Sequence, residues 1–395
     1  MALLFDLSRV PEDTCNDCIE DLFKAIRQPA KGDEGIWEPH PNEWLRFHVE
    51  DVTSRLTGPL ASIRDAILAA LAGRGLEELL GKALSPPWMR WDVDELARVR
   101  DRLAAVPSDQ WSQEEWGLLV DYIIQRYLPD GMIREEAEYL TVRAAILGKM
   151  QARATAASVD MPEGWQDALP RLVPTDFRVV PPKILSPIER AILDAAHARA
   201  AQNISDVTEA TRSEMKRVII EHVQARQLGQ AEGTDERLER RLFDKFADLN
   251  RDFRRIAVTE AGEAADQGFV AAHPPGTKLE RLEAYHGACD WCRSINGAVV
   301  TVVAASAPQK DGEKEIWPGK TNAGRSASPR KRSGGTLVDR EPHERWWIAA
   351  GVQHPHCRGS WRVSLDTPPP ADMDPNFHAW MMGRLKAIRV TGGPV

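Results

Sequence analysis

The stretch ACDWCRSINGAVV, residues 288–300, sets Cys289 and Cys292 three residues apart, directly ahead of an Asn-Gly turn and a run of β-branched residues. That spacing lets one tight turn aim two thiols at a single point. A second piece of the same form follows much later in the chain, His354-Pro355-His356-Cys357. Taken together, Cys289, Cys292, His354 and Cys357 make three thiolates and one imidazole, a common closed tetrahedral set for zinc. Pro355 keeps the residue before it extended, which helps orient His354. His356 and His286 remain alternatives for the fourth position. The plainer reading is that these are buried free cysteines, since cysteine is among the most buried residue types.

The rest of the chain favours metal over disulfide. With 395 residues, 43% of them hydrophobic, it can build two or three cores without covalent staples. Five cysteines is a small and odd number, and the opening residues MALLFDLSRVPED lack the basic start and small-residue cleavage site of a secretory signal. A reducing, cytoplasmic setting is therefore expected, and in it thiols stay reduced. The other Cys-x-x-Cys, Cys15 and Cys18, falls in an amphipathic helical pattern with no companion ligands and reads as structural. The longest apolar stretch, AILAALAG at 66–73, is too short to cross a bilayer and reads as a buried helix face, so no membrane role is expected.

Composition divides the chain into parts: a helical N-terminal domain over 1–175, a helical part over 176–278, a small α+β module over 279–366 and a tail over 367–395. In the first, Leu96, Val99, Leu103 and Val106 fall on one stripe at helical spacing. Trp37, Trp44, Trp88 and Trp91 stand near prolines, as core residues or as anchors for a partner. An extended connector, RLVPTDFRVVPPKILSP, carries the first boundary. Ser186, Pro187 and Glu189 then spell a capping box. The helix it starts should bury Ile188, Ile192, Ala195 and Ala196, and a second should bury Met215, Val218, Ile219 and Val223 before Gly229 stops it. A third, long and laced with opposite charges, should break near Asn250. From Leu279 onward short β-prone runs, AVVTVV and GSWRVSL, alternate with loops, and a long insertion separates them at 304–351. The expected fold class is α+β, predominantly α-helical with a small zinc-stabilised C-terminal module.

Net charge is −8, so polyanion binding would need a local patch. The insertion supplies one: Lys320, Arg325, Arg330, Lys331 and Arg332 occur in a Gly/Ser/Pro-rich run from Ile316 to Gly335 that contains no acid. It reads as a solvated loop whose charge meets water, phosphate or an acidic partner.

The helix RRIAVTEAGEAADQGF, the turn CDWCRSINGAVV and the closing HPHCRGSW, in that order, resemble the domain shared by Mu-type phage head morphogenesis proteins, also called minor head or minor capsid proteins. The matching positions are Arg255, Ile256, Ala257, Thr259 and Glu260, then Cys289, Cys292 and Gly297, then His354, Pro355, Cys357 and Arg358. The resemblance covers nearly half the chain, from Ser186 onward. It departs at Gly359, where many relatives carry a further cysteine, and in the length of the insertion. What it implies is a role rather than a reaction: a low-copy virion component assembled in the host cytoplasm, partnered by the portal and other capsid proteins or by packaged double-stranded DNA, with no small-molecule substrate. Glu260 is expected to form a buried ion pair, for instance with Arg358, locking the helix to the β-module.

The enzymatic alternative is a His-Asn-His-like metal nuclease using Asp339, His343 and His356. The sequence lacks the ββα pattern that would hold them. It also lacks a Walker loop (WPGKTN misses the earlier glycine), a Gly-x-Ser-x-Gly elbow and a His-Glu-x-x-His pair.

Overall fold

The capping box at Ser186 forms as its residues require. The Ser186 amide donates to the Glu189 carboxylate at 2.6 Å, and the Glu189 amide donates to Ser186 Oγ at 3.2 Å. The computed structural model describes residues 35–81, 92–128, 130–155, 185–364, 376 and 379–384. Cys15, Cys18, Trp88, Trp91 and nearly all of the connector lie outside them.

Eight helices are labelled in chain order: α1 (Glu43–Leu71), α2 (Leu76–Gly81), α3 (Val93–Ala104), α4 (Gln113–Tyr127), α5 (Asp130–Thr155), α6 (Pro187–Gln227), α7 (Asp235–Ala271) and α8 (Asp290–Ile295). Residues 379–384 are also helical. The chain is predominantly helical with a small sheet module near its C-terminus, as the periodicities indicate.

Two breaks expected from sequence are absent. The helix from Ser186 does not end before a second one begins: α6 runs unbroken because it contains neither glycine nor proline after Pro187. Thr208 and Thr211 donate their hydroxyls back to the Ile204 and Val207 carbonyls and so satisfy themselves within the helix. Its buried stripe is Leu193, Ala196, Ala200 and Ile204, whereas Ala195 is exposed and Ile192 half-buried. Gly229 stops it in a left-handed conformation (φ +65°), with the Gln230 amide reaching back to the Ala225 carbonyl at 2.9 Å. In α7 the helix passes through Asn250, because Leu249 and Phe253 keep the apolar stripe in phase on either side. Helix α3 buries Leu96 and Leu103, but Val106 lies past its end and is exposed.

The chain forms two compact units: residues 1–49, 139–196 and 255–395 make one, and residues 50–138 and 197–254 the other. It passes from one to the other within α1, α5, α6 and α7. Among its described residues the second unit contains no strand. Val52, Leu56, Ile63 and Ile67 of α1, Leu119 and Ile123 of α4, Met215 and Ile219 of α6, and Leu238 and Leu242 of α7 are buried in it. Arg55–Glu136 and Lys216–Asp121 ion pairs, each at 2.6 Å, tie its surface.

In the first unit α5 and α7 approach at glycine. A Cβ on Gly148 would lie 1.9 Å from the Ala265 carbonyl oxygen, and one on Gly268 would lie 2.3 Å from that of Ala145. A four-stranded sheet packs beside them. It consists of β1 (Lys278–Leu282), β2 (Val299–Val302), β3 (Glu315–Ile316) and β6 (Ser360–Val363), in the order β3-β2-β1-β6. Strand β1 is antiparallel to both neighbours, Leu279 opposite Val300 on one side and Val363 on the other, and β2–β3 is parallel. Phe269, Val270 and Ala152 from the helices pack with Leu279, Val300, Val302, Ile316 and Trp361 from the sheet. The insertion also contains a separate hairpin, β4 (Arg330–Ser333) with β5 (Thr336–Asp339). Its two-residue Gly334-Gly335 turn has φ +56° and +85°, as a type I′ turn needs. What reads as a loop is thus partly strand.

Buried at the end of α7, His273 donates Nδ1–H to the Phe269 carbonyl at 2.8 Å, while its Nε2 has no partner among the described residues. Burial pushes its pKa from 6.5 down to about 4. The unfolded chain therefore takes up this proton first: the contribution is intact above pH 6.5 and is lost as pH falls toward 4, about 3 kcal/mol in full. Denaturant unfolding at pH 7 and pH 5 is expected to show about 2 kcal/mol of this loss in the wild type and a smaller one in His273→Phe.

Candidate metal centre

The Cys-Asp-Trp-Cys turn is built by its own first cysteine. Cys289 caps α8, its Sγ accepting from the Cys292 amide at 3.4 Å, which points both thiols the same way. The opposite knuckle turns at His356, whose φ of +71° is left-handed, and the Cys357 amide closes it on the His354 carbonyl at 3.1 Å. The His356 amide is held by Thr259 Oγ1 of α7 at 3.0 Å. Glu263 of α7 accepts from the Val352 amide at 2.7 Å. Gly351 leaves that carboxylate its space, since a Cβ there would meet it at 1.8 Å.

The two knuckles bring Cys289, Cys292, His354 and Cys357 together, and these side chains can bind a metal ion. His354 Nε2 lies 3.2 Å from both Cys289 Sγ and Cys292 Sγ, and Cys292 Sγ lies 3.9 Å from Cys357 Sγ. His354 Nδ1 donates to the Pro355 carbonyl at 2.6 Å, which fixes the tautomer that leaves Nε2 for a metal. The Trp346 ring stacks on the imidazole at 5.5 Å, and Trp291 meets Trp346 edge-on. Of the alternatives, His286 is exposed and faces Glu38 at 3.2 Å, and His356 is buried beside Thr259; neither belongs to a ligand cluster of the described residues.

Such close packing of thiols drives their protons apart. Contact with Cys292, then with His354, pulls the Cys289 thiol down to about 4, while Cys292, pressed between Cys289 and Cys357, is pushed up. Burial works against charge on His354, yet Cys289 and Cys357 lift it to about 9. Burial likewise opposes ionisation of Cys357, but Cys292, Arg281 and His354 hold it well below the usual thiol range.

Beneath Cys357 lies a buried charged group that the sequence reading did not pick out. Arg281 is inaccessible; it donates to Asp266 and to Glu283 at 2.7 Å each and approaches Cys357 Sγ at 3.6 Å, with its guanidinium over the Trp361 ring. Burial pushes the Glu283 carboxyl up to about 7 against the pull of Arg281. The signal was present: in β1 Leu279 and Arg281 share the inward face, and a charged residue in that register needs a buried partner.

The basic residues scatter. Lys320, expected at the surface with the others, is 1% exposed. Its Nζ donates to the Gly312 and Glu315 carbonyls at 2.7 Å and lies between the Trp317 and Trp347 rings. Burial, with Arg325 adding to it, lowers its pKa to about 7. Arg325 donates to the Arg345 carbonyl at 2.8 Å and stacks on Trp347. Arg330 pairs with Asp339 at 3.1 Å and Lys331 with Glu344, which leaves Arg332 exposed on the hairpin. Lys320→Met is expected to cost about 1–3 kcal/mol by stranding two carbonyls. DNA affinity in a salt titration should stay at the wild-type level, because the side chain does not reach the surface.

Glu260 is buried, as its expected ion pair requires, and Arg358 donates to the backbone carbonyls of Gly35, at 2.6 Å, and His286, with its guanidinium over Tyr285. Arg358 thus ties residue 35 to the turn before the first knuckle. The nuclease candidates are placed apart in role: Asp339 is an exposed hairpin residue paired with Arg330, His343 lies in a short exposed turn, and His356 supports its knuckle.

No family model, curated protein or solved structure matches the chain. Among the described residues no helix is long and apolar enough to cross a membrane.

Proposed function

We propose that this chain is a minor head protein of a phage particle, whose small sheet module is a zinc-clamped docking body. The observation that supports the reading is that the three pieces carrying the resemblance meet. Thr259 of α7 holds the second knuckle, and the second knuckle sets His354 on both thiols of the first. Zinc is the ion of choice because thiolate and imidazole donors suit it, whereas magnesium and calcium prefer oxygen. Thiols around zinc at about 2.3 Å in tetrahedral array stand roughly 3.8 Å apart, close to the 3.9 Å between Cys292 and Cys357. Quantitative mass spectrometry of purified particles is expected to find the chain at low copy, together with the portal; particles lacking it would overturn the role.

Contact with packaged DNA is the second reading, favoured by the exposed basic hairpin with Arg332 at its edge. Neutralising Arg330, Lys331 and Arg332 together should then lower the salt dependence of DNA binding by about one to three phosphate contacts. Unchanged binding would leave the portal as the partner.

A further inference from the structure

We propose that the centre holds two divalent ions, the second lying between Cys292, Cys357 and Glu283 and joined to the first through the shared Cys292 thiolate. The inference rests on the zinc reading of the first position.

The candidate ligand atoms form two mutually close triads, Cys289/Cys292/His354 and Glu283/Cys292/Cys357, with Cys292 in both. Cys292 is thus a vertex that has an imidazole and a thiol on hand in one triad, and in the other a carboxylate and the Cys357 thiol, 3.9 Å away. Glu283 is built into that place. Its backbone amide donates to Asn296 Oδ1 at 2.7 Å, its Oε1 accepts from Arg281 Nε at 2.7 Å, and both carboxylate oxygens face Cys357 Sγ, Oε1 at 3.5 Å and Oε2 at 3.6 Å. A ligating carboxylate is ordinarily oriented by such a hydrogen bond on its other oxygen. The backbone makes room for it: a Cβ on Gly359 would lie 2.3 Å from the carboxyl carbon, so no side chain at 359 can coexist with Glu283 there.

The position is enclosed: Asp266, Arg281, Glu283, Cys292 and Cys357 are all buried. Carboxylate with thiolate is a donor set for zinc or cobalt rather than for magnesium or calcium.

The test is a count on the full chain purified without chelator. Elemental analysis should find two zinc per chain, and Glu283→Gln, which keeps the shape, should hold one. Cobalt titration provides a second readout that needs no variant. The first equivalent gives a high-spin cobalt EPR signal, and the second should diminish that signal by at least half, because ions bridged by thiolate couple their spins. One metal per wild-type chain, two equivalents with additive signals, or two retained by a folded Glu283→Gln each overturns the second position. No metal at all overturns the zinc reading of the first position as well. If Glu283→Gln fails to fold, the wild-type cobalt series decides.

Discussion

Cys292→Ser is expected to leave the purified chain with less than about a tenth of its metal and to unfold the C-terminal sheet module while helices elsewhere persist. Cys292 is the only residue common to both ligand triads, and its side chain is fully buried. Structural zinc supplies free energy of the order of 10 kcal/mol to small domains, more than most domains have to spare. The near-ultraviolet signal of Trp346, stacked on His354, should vanish, whereas the far-ultraviolet helical signal should remain largely intact. A chelator should reproduce the effect in the wild type. Acid should as well, because the imidazole and the thiols must give up their protons to bind. A serine variant that kept its metal and its melting temperature would sink the metal centre.

Gly148→Ala is expected to lower stability by about 3 kcal/mol or more, which shifts the melting temperature by several degrees. A methyl group placed 1.9 Å from the Ala265 carbonyl cannot be accommodated by a side-chain rotation, because the obstacle is backbone, and so α5 and α7 must move apart. The same parting would strain the core formed by Ala152, Phe269 and the sheet. The control is Gly117→Ala in α4, where nothing lies within 4 Å of the added atom. Alanine is the better helix former, and there the change should stabilise by up to about 1 kcal/mol. Equal melting temperatures for Gly148→Ala and wild type would show that the close approach does not exist in solution.

What the sequence disclosed follows from where its signals are local. The Ser186 cap, the Gly229 stop and the β-prone runs at 299–302 and 360–363 are each set by a few neighbouring residues, and each appears where expected. The ligand knuckles were legible because the Cys-x-x-Cys and His-x-x-Cys spacings are themselves geometric. Helix breaks at the end of the first α6 segment and at Asn250 were misread, since polar residues suggest ends but only glycine or proline enforces them. Lys320 was misplaced for a related reason. Composition marks a basic run as solvated, yet two indoles and two carbonyls from distant positions bury this one cation. Glu283 and Arg281 escaped notice because their partners lie on other elements, at Asp266 and Cys357.

Strand β1 finds one partner, β2, about twenty residues on, but the other, β6, some eighty residues later. During synthesis, therefore, the thiols of the first knuckle leave the ribosome well before His354 and Cys357 exist to meet them. For that interval the nascent chain can offer a passing ion no more than half a coordination shell. Closing so long a loop is slow, so capture of metal should be among the last events in maturation, and a cell starved of zinc should accumulate chains whose helices are formed but whose final strand is undocked and open to proteases.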